Sequence, residues 1–120
     1  MPDTVTALAG PQVSLAQLDD LAASIDDNVR DERLLARRIR RLRARRAKGQ
    51  SWEEVLSDEP HPNSLELAST VLNRLTQASS ALRRLLARGL RAQGASLAAI
   101  AERFGVSHQR VSTLLRRTDD

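Results

Sequence analysis

Apolar residues recur along most of this chain at helical spacing. Leu15, Leu18, Leu21, Ala22 and Ile25 fall on one face of a helix predicted over about 15–25, with Ser14 placed to cap it. Asp26-Asp27-Asn28 reads as a break and a fresh cap. Leu34, Leu35, Ile39 and Leu42 then mark a longer helix, predicted over about 29–48. Asp31 and Glu32 stand in its first turn and Arg45, Arg46 and Lys48 in its last, each sign favoured by the helix dipole. Gly49 ends it. Ser51 and Glu54 have the spacing of a capping box for a short helix carrying Trp52, Val55 and Leu56, with Trp52 expected as a core anchor. Pro60 and Pro62 cannot continue a helix, so 58–63 is a loop, and His61 in it has no partner in sequence. Asn63 and Glu66 repeat the capping-box spacing. Leu65, Ala68, Leu72 and Leu75 follow at alternating steps of three and four, and Leu82 and Leu86 keep the phase. Such a stripe is a helix-pairing seam, within one chain or between two. Ser79-Ser80 is expected to interrupt it and cap a helix over about 81–93, closed by Gly94. Residues 1–12 hold two prolines, a glycine and no periodicity, and read as a disordered leader.

The densest pattern lies at 94–117. Ser96 is placed to cap a helix over about 97–104, Gly105 to end it with a positive φ, and Ser107 to cap a second helix over about 108–117. Leu97, Ile100, Phe104, Val106, Val111 and Leu114 sit where two short crossed helices would share a core, and Ala101 is small enough to let them approach. This predicts a helix-turn-helix whose second helix docks into DNA. With Val111 and Leu114 inward, His108, Gln109, Ser112, Thr113 and Arg116 face outward. Gln109 can pair bidentately with adenine, and Arg116 with guanine or a phosphate. Ser112 and Thr113 can donate or accept, and the Thr113 methyl can touch a thymine methyl. Arg110 points more sideways, toward a phosphate. Ser96, Ser107 and Arg117 complete the expected DNA-binding set, and His108 has a second reading as a solvated residue that meets only phosphate.

The run from Ser96-Leu97 through Ile100-Ala101 and Phe104-Gly105-Val106-Ser107 to Arg110-Val111-Ser112 resembles the bacterial helix-turn-helix of sigma-factor region 4 and its relatives. The same pattern occurs in response-regulator output domains and recombinase tails. The resemblance covers about the last 30 residues. It implies that the positions of His108, Gln109, Ser112 and Thr113 touch bases or the adjoining backbone. In that family the first three are commonly arginine, glutamate and arginine. Here they are histidine, glutamine and serine, so the usual promoter element is not the expected target.

Composition narrows the classes. One Trp, one Phe and no Tyr leave Leu, Ala, Val and Ile to build the core, a mixture that favours helices and an all-α bundle. At 120 residues the core is modest, and a dimer contact would add to it. With no Cys there is neither a disulfide nor a thiolate zinc site. No apolar run is long enough to span a membrane and no signal peptide is recognisable, so a cytoplasmic, nucleoid-associated protein is expected. There is no Gly-Lys-Ser/Thr phosphate loop, and the two histidines are far apart in sequence, so neither catalysis, a metal nor a cofactor is expected.

Net charge is only +4, but it alternates in blocks. Residues 1–32 are acidic, 33–48 carry nine bases and no acid, 49–66 carry five acids and no base, and 67–118 carry nine bases and one acid. The two basic blocks suit nucleic acid and the acidic ones suit a partner protein. The arginines of 33–48 meet phosphates, are simply solvated, or are covered by the acidic first helix. Residues 48–56 also echo 93–101, which offers a reading as two tandem helix-turn-helix-like units, the first with an acidic proline loop in place of its turn. The expected division is a leader over 1–12, a helical dimerisation or partner region over 13–78 and a DNA-binding unit over 79–120. The expected function is a transcription regulator that binds double-stranded DNA as a homodimer. The alternative is a sigma-like interaction module for RNA polymerase, a sigma factor or another transcription protein.

Overall fold

The computed structural model describes residues 9–116, with side chains from Leu15 onward. The described residues form an all-α structure: α1 (Ala9–Ala47), α2 (Trp52–Ser57), α3 (Ser64–Ala92), α4 (Leu97–Phe104) and α5 (His108–Arg116). Most of the leader expected over 1–12 lies outside the described residues, and positions 9–12 belong to α1.

Two expected breaks are absent. α1 runs through Asp26-Asp27-Asn28 as one helix. Asn28 is a buried mid-helix residue, not a cap, and its Nδ2 donates to the Val71 carbonyl of α3 at 3.0 Å. Asp27 is held by Arg30 at 3.0 Å on its own helix, and Asp31 by Arg74 of α3. Asp27 and the Asn28 amide nitrogen thus find partners within a continuous helix, and Asp31 adds another just beyond them, while the buried Asn28 Oδ1 has none among the described residues. Likewise α3 passes through Ser79-Ser80, with Ala78 and Leu85 buried to either side. Serine costs a helix only a few tenths of a kcal/mol, roughly, and no glycine or proline stands beside the pair.

The chain divides into two compact units. The first is Ala23–Thr76. Val55 and Leu67 are its buried apolar residues, and polar contacts do much of the rest. Arg38 donates to the carbonyls of Pro60 and Pro62, at 3.4 and 2.7 Å, and so holds the proline loop. Arg45 meets Gln50 and Asp58, both at 2.5 Å, and ties down the ends of α2. Ser64 is buried and bonds Glu59 across the loop. Both capping serine and asparagine act as expected: Ser51 Oγ accepts from the Glu54 N–H at 3.1 Å, and Asn63 Oδ1 from the Glu66 N–H at 2.9 Å. Trp52 is not a core anchor. It is 57% exposed, with the Arg46 guanidinium 4.7 Å above its ring. It opens a six-residue helix whose inward position is taken by Val55.

The predicted seam on α3 lies on the outside of this unit. Leu65, Leu72 and Leu75 are exposed, Leu72 to 63%, while the inward stripe, one residue earlier than Ala68 and Leu72, carries Leu67 and half-buried Val71.

Glu66 closes the second capping box. Its carboxylate titrates below the ordinary value because the Asn63 N–H donates to it and, second, because the His61 ring stands 3.3 Å away. A carboxyl lowered in the folded state stabilises above its unfolded pKa and loses that effect as pH falls through the folded value. Thermal melts of Glu66→Gln are therefore expected to lie slightly below those of the native chain at neutral pH, with the gap closing as pH drops below 4.5.

Candidate nucleic-acid interface

The second unit contains the C-terminal residues from Gln77. Its core is Ala87, Ile100, Ala101, Val111 and Leu114, with Leu90, Ala95, Leu97, Phe104 and Leu115 packed around them. A third helix therefore takes part: the end of α3 supplies Ala87, which is fully buried. Sequence reading gave the motif two helices. The available signal was a small residue, Ala87, three positions before Leu90, enough to bring α3 close to both short helices.

Local chemistry sets each turn. Gly94 closes α3 with φ +97°, and the Ala95 N–H reaches back to the Leu90 carbonyl at 3.0 Å. Arg91 adds a bond to the Ala95 carbonyl at 3.0 Å. Ser96 caps α4, accepting from the Ala99 N–H at 3.0 Å. Gly105 ends α4 in the left-handed region at φ 67°, ψ 35°, and the Val106 N–H bonds the Ala101 carbonyl at 3.0 Å. Ser107 then caps α5, its Oγ accepting from the Arg110 N–H at 3.1 Å. A Cβ at Gly105 would meet nothing within 4 Å, so its only cost is the left-handed backbone. Gly105→Ala is expected to lower stability by about 1–2 kcal/mol in a thermal or urea melt.

Val111 and Leu114 are buried, which turns the rest of α5 outward. His108, Gln109, Arg110 and Arg116 are exposed; Ser112 and Thr113 are half-buried. The Thr113 hydroxyl donates to the Gln109 carbonyl at 3.0 Å, which leaves its oxygen lone pair and methyl for a ligand. Ser96 and Ser107 have their oxygens engaged in caps, though each keeps an O–H to donate. Arg117 lies outside the described residues. Val106 departs from its expected place in the core: it is 38% exposed, because the turn after Gly105 carries it to the surface. It lines an open groove with Leu86, Phe104 and Leu114, flanked by Arg83 and Arg110.

α5 carries a histidine, two arginines and no carboxylate, and across α4 and α5 Glu102 is the sole acid. This short basic helix, capped at its start and held by two inward residues against a three-helix core, has the geometry of a recognition helix.

A family model described as a homeodomain-like domain matches residues 78–120. No curated protein and no solved structure matches the chain. The matched segment contains α4, the glycine turn and α5 in full. Geometry and match together support a helix-turn-helix of the DNA-binding kind in the segment 78–120.

Proposed function

We propose that the chain is a sequence-specific transcription regulator that lays α5 in the major groove and binds its site as a homodimer. The observation that carries the reading is the outward row of His108, Gln109, Ser112, Thr113 and Arg116 on a helix fixed through buried Val111 and Leu114. Gln109 suits adenine, and Arg116 suits guanine or phosphate. Arg110, near the helix start and exposed, suits the backbone. The sigma-like resemblance applies to the module, while His108, Gln109 and Ser112 point to a different target sequence.

The homodimer is supported by α3. One helix-turn-helix unit offers few base contacts, and pairing on a two-fold site multiplies them. The leucines exposed on Ala23–Thr76 supply a surface for pairing. Between Glu66 and Arg83 the only charged residue is Arg74, already paired with Asp31. A two-fold contact sets like charges face to face, so a neutral stripe suits a second copy better than it suits solvent.

The test is selection of bound duplexes from a random pool by the purified chain. Enrichment of a motif with two-fold symmetry is expected. A pool that yields no motif, while RNA polymerase or a sigma factor binds the same sample, would overturn the regulator in favour of an interaction module.

A further inference from the structure

Nine cations stand on residues 33–48, and three of them work inside the fold. Arg38 holds the proline loop, Arg45 holds Gln50 and Asp58, and Arg46 bonds the Gln50 carbonyl at 2.8 Å and covers Trp52. The other six, Arg33, Arg37, Arg40, Arg41, Arg43 and Lys48, are all solvent-accessible. Among the described residues none of the six has a carboxylate within 4.0 Å. An arginine row at i, i+4 and i+8 repels itself, as Arg33, Arg37 and Arg41 do here. The helix keeps this row without neutralising it.

Helical spacing puts five of the six on one side. At 100° per residue Arg33, Arg37, Arg40, Arg41 and Lys48 share an arc of about 100°, and Arg43 flanks it. The row is about 22 Å long at 1.5 Å per residue, the rise of about six base pairs of duplex. Ala44 is the apolar residue within the arc; no leucine or aromatic residue interrupts it. A protein partner is gripped through apolar anchors at the centre of the contact. A bare row of arginines, with planar forks that fit phosphate oxygens, matches a phosphate backbone.

We infer that the face of α1 carrying Arg33, Arg37, Arg40 and Arg41, with Lys48 just past its end, is a second DNA contact, sequence-independent, that grips backbone phosphates while α5 reads the bases. The inference rests on the DNA-binding reading of the C-terminal unit. It separates two jobs in one chain: α5 carries the discrimination between sequences, and α1 carries much of the affinity and its salt dependence.

The experiment uses the full chain, native and as Arg37→Gln/Arg40→Gln/Arg41→Gln. Glutamine is a good helix former and removes the repulsion, so the fold is kept, and circular dichroism checks it. Each protein is titrated by fluorescence anisotropy into the selected duplex and into a scrambled one, across a series of NaCl concentrations. The slope of log K against log salt is expected to fall by about 2–3 in the variant, at about 0.9 for each phosphate that the missing arginines no longer neutralise. Affinity at low salt should drop roughly 10- to 100-fold by the same factor for both duplexes, so that the ratio between them stays constant. Native binding with an unchanged slope in the variant would overturn the inference and leave the reading by α5 in place. A fall in the ratio alone would also overturn it, because it would make these arginines base readers. A native chain that binds neither duplex at low salt would remove the DNA reading itself, and the inference with it.

Discussion

Alanine at both Arg110 and Arg116 is expected to cost about 2–4 kcal/mol of binding to the selected duplex, a loss of roughly 30- to 1,000-fold. Both side chains are exposed and neither belongs to the core around Ile100 and Val111, so melting temperature and helical content should stay as they are. The two losses differ in kind. Without Arg116 the chain gives up a fork that can take the O6 and N7 of guanine, so discrimination at one base pair should relax. Without Arg110 it gives up a phosphate contact, so binding should weaken evenly over all sequences and the salt slope should fall by about one. Anisotropy titrations of the two single variants and the pair, on matched and mismatched duplexes, separate these effects. Equal affinity for the double variant and the native chain would move the DNA-facing surface away from α5.

The second large effect concerns assembly. Leu72→Glu/Leu75→Glu is expected to turn a dimer into a monomer in light scattering after size exclusion. Fully burying a leucine contributes about 1.5–3 kcal/mol. Four leucines, two from each copy and each part-exposed in the single chain, give on the order of 3–6 kcal/mol across a two-fold contact. Glutamates there would also set four like charges in an apolar seam. A weakening of self-association by roughly 100-fold or more follows. The single chain should stay folded, because both positions already face solvent within it. DNA selection with the variant should then return half-sites in place of a two-fold motif. A native chain that is monomeric at tens of micromolar would dispose of the homodimer and leave single-site reading by α5 intact.

The helix-turn-helix geometry was largely legible in the sequence because it is made of local chemistry. Ser96, Gly105 and Ser107 act on atoms three to five residues away, and the outward face of α5 follows from Val111 and Leu114 alone. The long helices were not legible for the opposite reason. What carries the helix through Asp26-Asp27-Asn28 is in part the Val71 carbonyl that Asn28 meets and, a turn later, the Arg74 that Asp31 meets, each 43 positions along the chain. Local rules favour a cap at such a triplet, and a tertiary contact overrides them. Ala87 escaped notice because an alanine gives little pattern until a neighbour packs on it. Trp52 misled through its size: a large aromatic residue favours burial on average, but here the cation of Arg46 gives its ring a partner at the surface. The leucine stripe on α3 was legible as a stripe, and the structure leaves it exposed. Whether it paired inside the chain depended on which of two adjacent stripes on α3 turned inward, and Leu67 and Val71 took that place.

The most direct measurement is amide chemical-shift mapping of the full chain by NMR as the selected duplex is added. The largest perturbations are expected at His108–Arg116 and at the Ser107 cap, with smaller ones along 33–48. Perturbations confined to α1 and α2, with α5 unmoved at saturation, would contradict a recognition helix in the groove.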